Sequence, residues 1–202
     1  MSLTRNPFRS LVASLAIVLT LGLLSIAQVS AKTTETASVH IKNFGQMDER
    51  FFRGAQPKEE DFKDLKALGV QTVIDLRDDP VSYEKRDVEA LGMRYVNIPM
   101  SDKKYPKEET IAAFLKLVDD PSTGKFYVHC AGGRHRTGVM GAVYRFNHYH
   151  WNFDQVYKEM KDYDFYTSWG HGDMKKYVED YWQRIQAKSV ASNGVASATQ
   201  GN

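Results

Sequence analysis

The segment around the chain's single cysteine constrains the fold more than any other. Before it, residues 125–128 read Lys-Phe-Tyr-Val, a short and β-prone apolar run that predicts a buried strand. After it, Val139, Met140, Val143 and Phe146 recur at helical spacing and predict a helix with its apolar face inward. Because a helix N-terminus presents unpaired N–H groups and a positive partial charge, this strand–loop–helix segment predicts a binding site for an anion.

The loop between the strand and the helix carries reactive chemistry. Five residues separate Cys130 from Arg136, enough for the loop N–H groups to surround a tetrahedral oxyanion. Gly132 and Gly133 permit the backbone angles that such a loop needs. Arg136 offers a planar fork that suits two phosphate oxygens. These groups and the helix dipole would hold Cys130 as a thiolate, with the Thr137 hydroxyl placed to hydrogen-bond the sulfur.

This loop resembles the signature of the cysteine-dependent protein tyrosine and dual-specificity phosphatases, His-Cys-x-x-Gly-x-x-Arg-Thr-Gly. The matching residues are His129, Cys130, Gly133, Arg136, Thr137 and Gly138. The resemblance implies hydrolysis of phosphate monoesters through a cysteinyl-phosphate intermediate, without metal or cofactor. The resemblance also implies which residues bind the phosphate group: Ala131, Gly132, Gly133, Arg134, His135 and Arg136. It implies that His129 and Thr137 support this site.

Two further segments are similar to the bacterial and the plant-and-fungal atypical branches of this family. Residues 53–57, Arg-Gly-Ala-Gln-Pro, precede the first helix, and we expect a structural role for them. Residues 75–77, Asp-Leu-Arg, end a strand near the expected active site, where we expect Asp75 and Arg77 to hold a loop by ion pairs.

The leaving oxygen of a phosphate ester needs a proton, which a carboxylic acid on a nearby loop can donate. The family carries this aspartate on a loop before the cysteine. Asp102, which follows a predicted strand at 94–98, matches that place. Asp78 and Asp79, at the end of another predicted strand, are the reserve candidates.

The pattern of elements predicts an α/β fold with a mostly parallel sheet flanked by helices, of the protein tyrosine phosphatase type. The predicted strands are 51–57, 70–77, 94–98 and 125–128, and the predicted helices 58–68, 82–91, 107–118, 155–162 and 173–186. Asp154 is the predicted N-cap of the fourth of these helices.

The two ends of the chain differ from the predicted phosphatase domain at 39–186. Residues 1–31 have the basic, apolar and small-residue parts of a secretory signal, which predicts an exported, periplasmic or secreted protein. The alternative is a membrane anchor at residues 11–26. A linker at 32–38 and a disordered tail at 187–202 complete the predicted organisation.

Charge and composition limit the partners. The formal net charge is +2, and the predicted signal contributes it, so nothing indicates a nucleic acid as partner. One cysteine excludes an internal disulfide and a cysteine-rich metal site. His148 and His150 lie two residues apart on a predicted helix and share no face. We therefore expect a phosphorylated protein or a small phosphate ester as substrate, no metal, and a membrane only if the signal is uncleaved.

Four alternatives to a protein phosphatase remain open at this point. Arg134 resembles a basic residue of phosphoinositide and inositol pyrophosphate phosphatases, and with Lys103, Lys104 and Lys107 it favours an inositol polyphosphate as alternative substrate. A phosphate-binding pseudo-enzyme is disfavoured because both Cys130 and Arg136 are present. A sulfurtransferase has a shorter loop, and an arsenate reductase usually needs a second cysteine, which this chain lacks.

Overall fold

The computed structural model describes residues 39–199, with side-chain surroundings through residue 191. The predicted signal and linker lie outside these residues. The strands are β1 Gly45–Gln46, β2 Phe51–Gly54, β3 Val70–Asp75, β4 Arg94–Asn97 and β5 Lys125–His129. The helices are α1 Asp61–Ala67, α2 Glu84–Ala90, α3 Glu108–Asp119, α4 His135–Tyr144, α5 Phe153–Asp162 and α6 Gly172–Thr199.

The five strands form one sheet in the order β1-β2-β5-β3-β4. Only β1 runs antiparallel to its neighbour, so the predicted α/β fold with a mostly parallel sheet is confirmed. Strand β5 is central, and four of its five residues are buried, as its apolar sequence requires. The residues after β5 therefore emerge at the carboxyl edge of the sheet, where ligands bind in open α/β folds.

Successive residues of the central strand pack on opposite faces of the sheet. Phe126 and Val128 face a core shared with α3, α4, α5 and α6. Tyr127 between them faces a second core, shared with α1 and α2. The side chain of Tyr127 is fully buried, and its hydroxyl donates to the carbonyl of Ala55 at 2.6 Å. Both cores thus hold β5 rigidly beneath the cysteine loop.

Three local features differ from the sequence-based expectations. Helix α5 is capped by Asn152 rather than Asp154, because Asn152 and Gln155 form a reciprocal capping box. A π-helical turn, Arg145–Tyr149, extends α4, and a two-residue strand, β1, joins the sheet. Neither of these was predicted. Strand β1 is too short to leave a hydrophobic alternation in the sequence.

The end of the chain also differs. The sequence predicted a helix ending at residue 186 and a disordered tail from 187, but α6 continues to Thr199. The extension is rich in alanine and free of proline, a composition that favours continued helix over a break. Within residues 39–199, no helix combines the length and the apolar character that crossing a bilayer requires.

Candidate active site

The cysteine loop joins β5 to α4 and borders a cavity of about 200 Å³. The lining residues are Asp102, Cys130, Ala131, Gly132, Arg134, His135, Arg136, Tyr166 and His171. The structure thus brings Asp102 to the same cavity as the cysteine and most of the expected phosphate-binding residues. Of the expected set, Gly133, His129 and Thr137 do not line the cavity: Gly133 lies in the loop, His129 ends β5 and Thr137 lies in the first turn of α4.

The backbone of the loop is fixed from outside. Its three consecutive carbonyls each accept a hydrogen bond from a different partner: Ala131 from the Gln56 N–H at 3.3 Å, Gly132 from Asn43 Nδ2 at 2.9 Å, and Gly133 from Arg53 Nη2 at 2.7 Å. Because these carbonyls turn away from the loop's interior, its N–H groups remain available to an anion. Residues 53–57 therefore have the structural role expected of them.

The two loop glycines are not equivalent. Gly133 has φ of +66°, and a Cβ there would lie 2.4 Å from the carbonyl carbon of Gly54. Position 133 therefore requires a glycine, because of its backbone angle and because the loop approaches the backbone of Gly54 closely. Gly132 has no positive φ, and a Cβ there would make only ordinary contacts with Arg134, the nearest at 3.8 Å. The loop therefore uses the conformational freedom of glycine at Gly133, as expected, but not at Gly132.

The thiol of Cys130 is 4% exposed and lies among groups that favour its ionised form. Burial raises the pKa of the Cys130 thiol, but the other influences outweigh it and the net shift is downward from 9.0. The hydroxyl and the backbone N–H of Thr137 lower the pKa most, and the charge of Arg136 and the N–H of Gly132 add to this. The environment thus favours the nucleophilic thiolate form of the sulfur.

A fully buried charge cluster lies beside the cysteine. His129 Nε2 is 2.8 Å from Glu84 Oε1 and 3.9 Å from Asp75 Oδ1, and all three side chains are inaccessible to water. Burial alone would lower the pKa of His129, but the two carboxylates and the neighbouring thiolate raise it. The three ligand atoms lie within 4.8 Å of one another, as in a cation site, and the raised pKa of His129 favours a positively charged imidazolium there.

Neighbouring polar groups hold this cluster in place. The amide of Gln56 donates to Glu84 Oε2 at 2.7 Å and accepts from Arg77 Nη1 at 2.9 Å. Asp75 accepts hydrogen bonds from the Arg77 N–H and the Tyr95 hydroxyl, both at 2.8 Å. Asp75 and Arg77 therefore stabilise the loop, as expected, through hydrogen bonds and through ion pairs, that of Arg77 with Asp79 and that of Asp75 with His129 when it is protonated.

The three candidate acids have different surroundings. Asp79 is fully engaged by Arg77, whose Nε and Nη2 lie 3.2 and 2.9 Å from its two oxygens. Asp78 accepts from Arg136 Nη1 at 2.8 Å. Asp102 lines the cavity and is exposed. Among the described residues, Asp102 is thus the candidate that lines the cavity without being bound by an arginine.

Two cavity residues, Tyr166 and His171, were missed by sequence reasoning. They come from the loop between α5 and α6, and the aromatic and glycine content of that loop was the only signal available. The ring of His171 stacks on His135, with centroids 3.5 Å apart. Burial and the neighbouring charges of His171 and Arg134 lower the pKa of His135 to about 4, so its ring is neutral at neutral pH.

Arg134 is held at the edge of the cavity rather than free within it. Its Nε lies 3.7 Å from Asp164 Oδ2, and its guanidinium lies 5.8 Å from the centroid of the Tyr166 ring. A carboxylate and an aromatic face therefore offset part of the positive charge that the sequence suggested for the cavity.

The chain is similar to known proteins in sequence and in fold. Residues 23–176 match the protein family described as DSP-PTPase phosphatase fused to NAD+ kinase. The chain is 29% identical over 125 residues to the probable tyrosine-protein phosphatase DG1060 of Dictyostelium discoideum, covering 59% of this chain and 74% of that protein. It is 27% identical over 103 residues to the inositol diphosphatase DSP3 of Arabidopsis thaliana, covering 48% and 51%. The crystal structure of Pseudomonas aeruginosa TpbA has the same fold, with a TM-score of 0.59, 23% identity and coverage of 69% and 84%.

Proposed function

The chain belongs to the DSP-PTPase phosphatase family, a family described as fused to NAD+ kinase, and on this premise we propose that Cys130 is its catalytic nucleophile. The observation that carries the proposal is the lowered pKa of a buried thiol that shares a small cavity with Arg136 and Asp102. A thiolate is nucleophilic where a thiol is not, and a phosphoryl group in the cavity would meet it directly.

The reaction has two steps. In the first, the Cys130 thiolate forms a bond to phosphorus as the phosphorus–oxygen bond to the leaving group breaks, and protonated Asp102 gives its proton to the leaving oxygen. In the second, water attacks phosphorus and the sulfur–phosphorus bond breaks. Asp102, now a carboxylate, takes the proton from that water, and inorganic phosphate leaves the restored thiolate. Arg136 and the loop N–H groups bind the equatorial oxygens in both steps.

The same groups support hydrolysis without a metal ion. The equatorial oxygens carry the charge that must be stabilised, and the guanidinium, the loop N–H groups and the helix N-terminus supply the compensating positive charge. Turnover of para-nitrophenyl phosphate that is unchanged by a chelator such as EDTA is the expected result. Loss of activity with EDTA, restored by a divalent cation, would contradict this part of the proposal.

The role of Cys130 is tested by Cys130→Ser. The serine hydroxyl is a poor nucleophile, while the loop donors that bind the anion remain. We expect turnover to vanish and vanadate or phosphate to bind nearly as well as in wild type, measured by calorimetry. Substantial turnover by the serine variant would contradict a cysteinyl-phosphate intermediate.

For the substrate, we favour phosphotyrosine or other phosphoprotein esters over inositol polyphosphates. Arg134 pairs with Asp164 and lies over the ring of Tyr166. These contacts offset part of the positive charge that would attract a polyphosphate to the cavity. The aromatic ring of Tyr166 at the cavity wall suits an aromatic ester. The likeness to a plant inositol diphosphatase keeps that substrate class as the alternative.

Substrate choice is tested by comparing kcat/KM for a phosphotyrosine peptide and an inositol polyphosphate on wild type and Arg134→Ala. The matched control is Arg86→Ala, since Arg86 is an exposed arginine paired with Asp87 and does not line the cavity. A preference for the peptide that persists in Arg134→Ala supports our choice. A preference for the inositol polyphosphate that Arg134→Ala selectively removes would support the alternative.

We also propose that the enzyme is exported, on the basis of residues 1–31 alone. Expression of the full chain in a bacterium, followed by fractionation and N-terminal sequencing, tests this. A periplasmic protein that begins at Lys32 is the expected result. A membrane-bound protein that retains residue 1 would instead support the anchor at residues 11–26.

A further inference from the structure

His171 contacts the loop that carries the proposed acid. Its Nδ1 lies 2.7 Å from the backbone carbonyl oxygen of Asp102. A carbonyl oxygen can only accept a hydrogen bond, so Nδ1 carries the proton and donates it. His171 is only 7% exposed, which shields this hydrogen bond from competing water.

The same ring contacts the cysteine loop at residues 130–136, which we call the phosphate loop after its proposed role. His135, which follows Arg134 and begins α4, stacks on His171 with an angle of 10° between the rings. Tyr166 packs edge-on against both rings, with centroid distances of 4.4 Å to His135 and 5.4 Å to His171. His171 therefore lies between two segments that belong to different parts of the sequence, the loop of Asp102 and the start of α4.

The loop around Asp102 has few other ties near the carboxylate. Within the described residues, the Ser101 hydroxyl accepts hydrogen bonds only from its own neighbours, the N–H groups of Lys103 and Lys104. Beyond them, Tyr105 donates to Asp180 on α6 at 2.9 Å. The His171 hydrogen bond is the contact made at Asp102 itself, so its loss would free the carboxylate to change its distance from the cavity.

We propose that His171 is a positioning residue, which holds Asp102 at a fixed distance from the phosphate loop by donating to its carbonyl while stacking on His135. The inference rests on the proposed role of Asp102 as general acid. A proton donor displaced by a fraction of an ångström loses hydrogen-bond geometry with the leaving oxygen. Esters with poor leaving groups depend on that proton more than esters with good ones.

Two substitutions separate the hydrogen bond from the ring stack. His171→Phe keeps a flat ring against His135 but removes the donor. His171→Asn places an amide nitrogen close to the position of Nδ1, so it keeps the donor and loses the ring. The matched control is His148→Phe, because His148 is partly exposed, pairs with Asp119 at 3.1 Å and does not line the cavity.

The experiment measures kcat for a series of aryl phosphates whose leaving groups differ in pKa. We expect His171→Phe to lose about two- to twelvefold with poor leaving groups, the range of one net hydrogen bond, and less with good ones. His171→Asn keeps the donor and should lose less than His171→Phe with poor leaving groups, whereas His148→Phe should stay near wild type. Alkylation of Cys130 by iodoacetate should proceed at the wild-type rate in all three, because the thiol is not the group affected.

Three results would overturn the inference: no loss in His171→Phe, an equal loss for good and poor leaving groups, or a loss in His171→Asn as large as in His171→Phe. Should His171→Phe not fold, His171→Gln replaces it, because the glutamine nitrogen lies near Nε2 rather than Nδ1.

The Asp102→Asn background separates this inference from the proposed function. If Asp102→Asn leaves the leaving-group dependence of kcat unchanged, Asp102 is not the acid. The proposed positioning role of His171 is then wrong as well. If Asp102→Asn alters that dependence, the role of Asp102 as the acid is supported. His171→Phe should then cause no further change in kcat in the Asp102→Asn background. A full additional loss there would overturn the positioning role alone.

Discussion

Arg136 donates from Nη1 to the carboxylate of Asp78 at 2.8 Å, and the same nitrogen lies 3.3 Å from the carbonyl oxygen of Met100. These two acceptors fix one side of the guanidinium. Within residues 39–199, its Nε and Nη2 have no hydrogen-bond acceptor, so they remain for a bidentate contact with two phosphate oxygens. Asp78 thus orients the arginine that we propose binds phosphate, and it is not available as a free acid.

Asp78→Ala tests that orientation. The side chain of Asp78 is 55% exposed, so the pair is solvent-screened and worth at most about 1 kcal/mol, and we expect kcat/KM to fall by about two- to fivefold. Asp162→Ala is the control, since Asp162 is similarly exposed and pairs with Lys158 on α5. An increase in kcat/KM for Asp78→Ala would mean that Asp78 competes with the substrate for the arginine.

Arg136→Lys should have a far larger effect. A lysine ammonium is a point charge and cannot reproduce the planar fork, so we expect kcat/KM to fall by about 10²–10³, as when one transition-state donor is removed. Steady-state kinetics with para-nitrophenyl phosphate measures it. Arg86→Lys, on the exposed surface of α2, should remain at the wild-type level. A few-fold effect in Arg136→Lys would show that the guanidinium does not contact the phosphoryl group.

Asp102→Asn should lower kcat by about 10²–10⁴ for esters with poor leaving groups, the usual contribution of a positioned acid. Asparagine keeps the size of the side chain and has no proton to give. The matched substitution is Asp79→Asn, which changes a carboxylate held by Arg77. Equal losses for good and poor leaving groups would exclude Asp102 as the acid.

Thr137→Val should raise the pKa of the Cys130 thiol, because the threonine hydroxyl lowers it. With a higher pKa, a smaller fraction of the sulfur is ionised at mildly acidic pH, and alkylation by iodoacetate should be slower there. The alkylation rates of Thr137→Val and wild type should converge at alkaline pH, where the Cys130 thiol is ionised in both proteins. Thr72→Val removes another buried hydroxyl, bonded to the Thr123 carbonyl, and should leave the alkylation profile unchanged. Identical profiles for Thr137→Val and wild type would refute the role of Thr137.

The buried cluster of His129 predicts how stability depends on pH. The folded-state pKa of His129 is raised above 6.5, so its stabilising contribution is complete below that pH and is lost as the pH rises through the folded value. The raised pKa of Asp75, caused by burial, acts in the same direction from 3.8 upward. The free energy of unfolding in urea should therefore fall as the pH rises above 6.5.

Glu84→Gln isolates this effect. The amide keeps the shape of the side chain and removes the charge that favours the imidazolium, so the pH dependence above 6.5 should flatten. Glu60→Gln, an exposed residue near Lys58, should keep the wild-type dependence. A steep dependence that persists in Glu84→Gln would assign it to another group.

Structural features that depend on neighbouring residues can be predicted from the sequence. Contacts between residues that are distant along the chain cannot. The strand before Cys130 and the helix after it follow from local periodicity, and the loop chemistry follows from residue types at fixed spacing. The pairing of Asp78 with Arg136 spans 58 residues and that of His171 with Asp102 spans 69, and neither leaves a local pattern. The helical end of α6 was missed for a different reason, because small polar residues were interpreted as disorder although they also tolerate a helix.

The three outward-turned carbonyls of the phosphate loop have a kinetic consequence. Asn43, Arg53 and Gln56 fix the loop with hydrogen bonds that involve no ligand, so its N–H groups are already arranged before an anion arrives. Capture of a small oxyanion then requires no slow isomerisation of the protein. In stopped-flow experiments, the observed rate of vanadate binding should rise linearly with vanadate concentration, without the plateau that a preceding or following conformational step would impose.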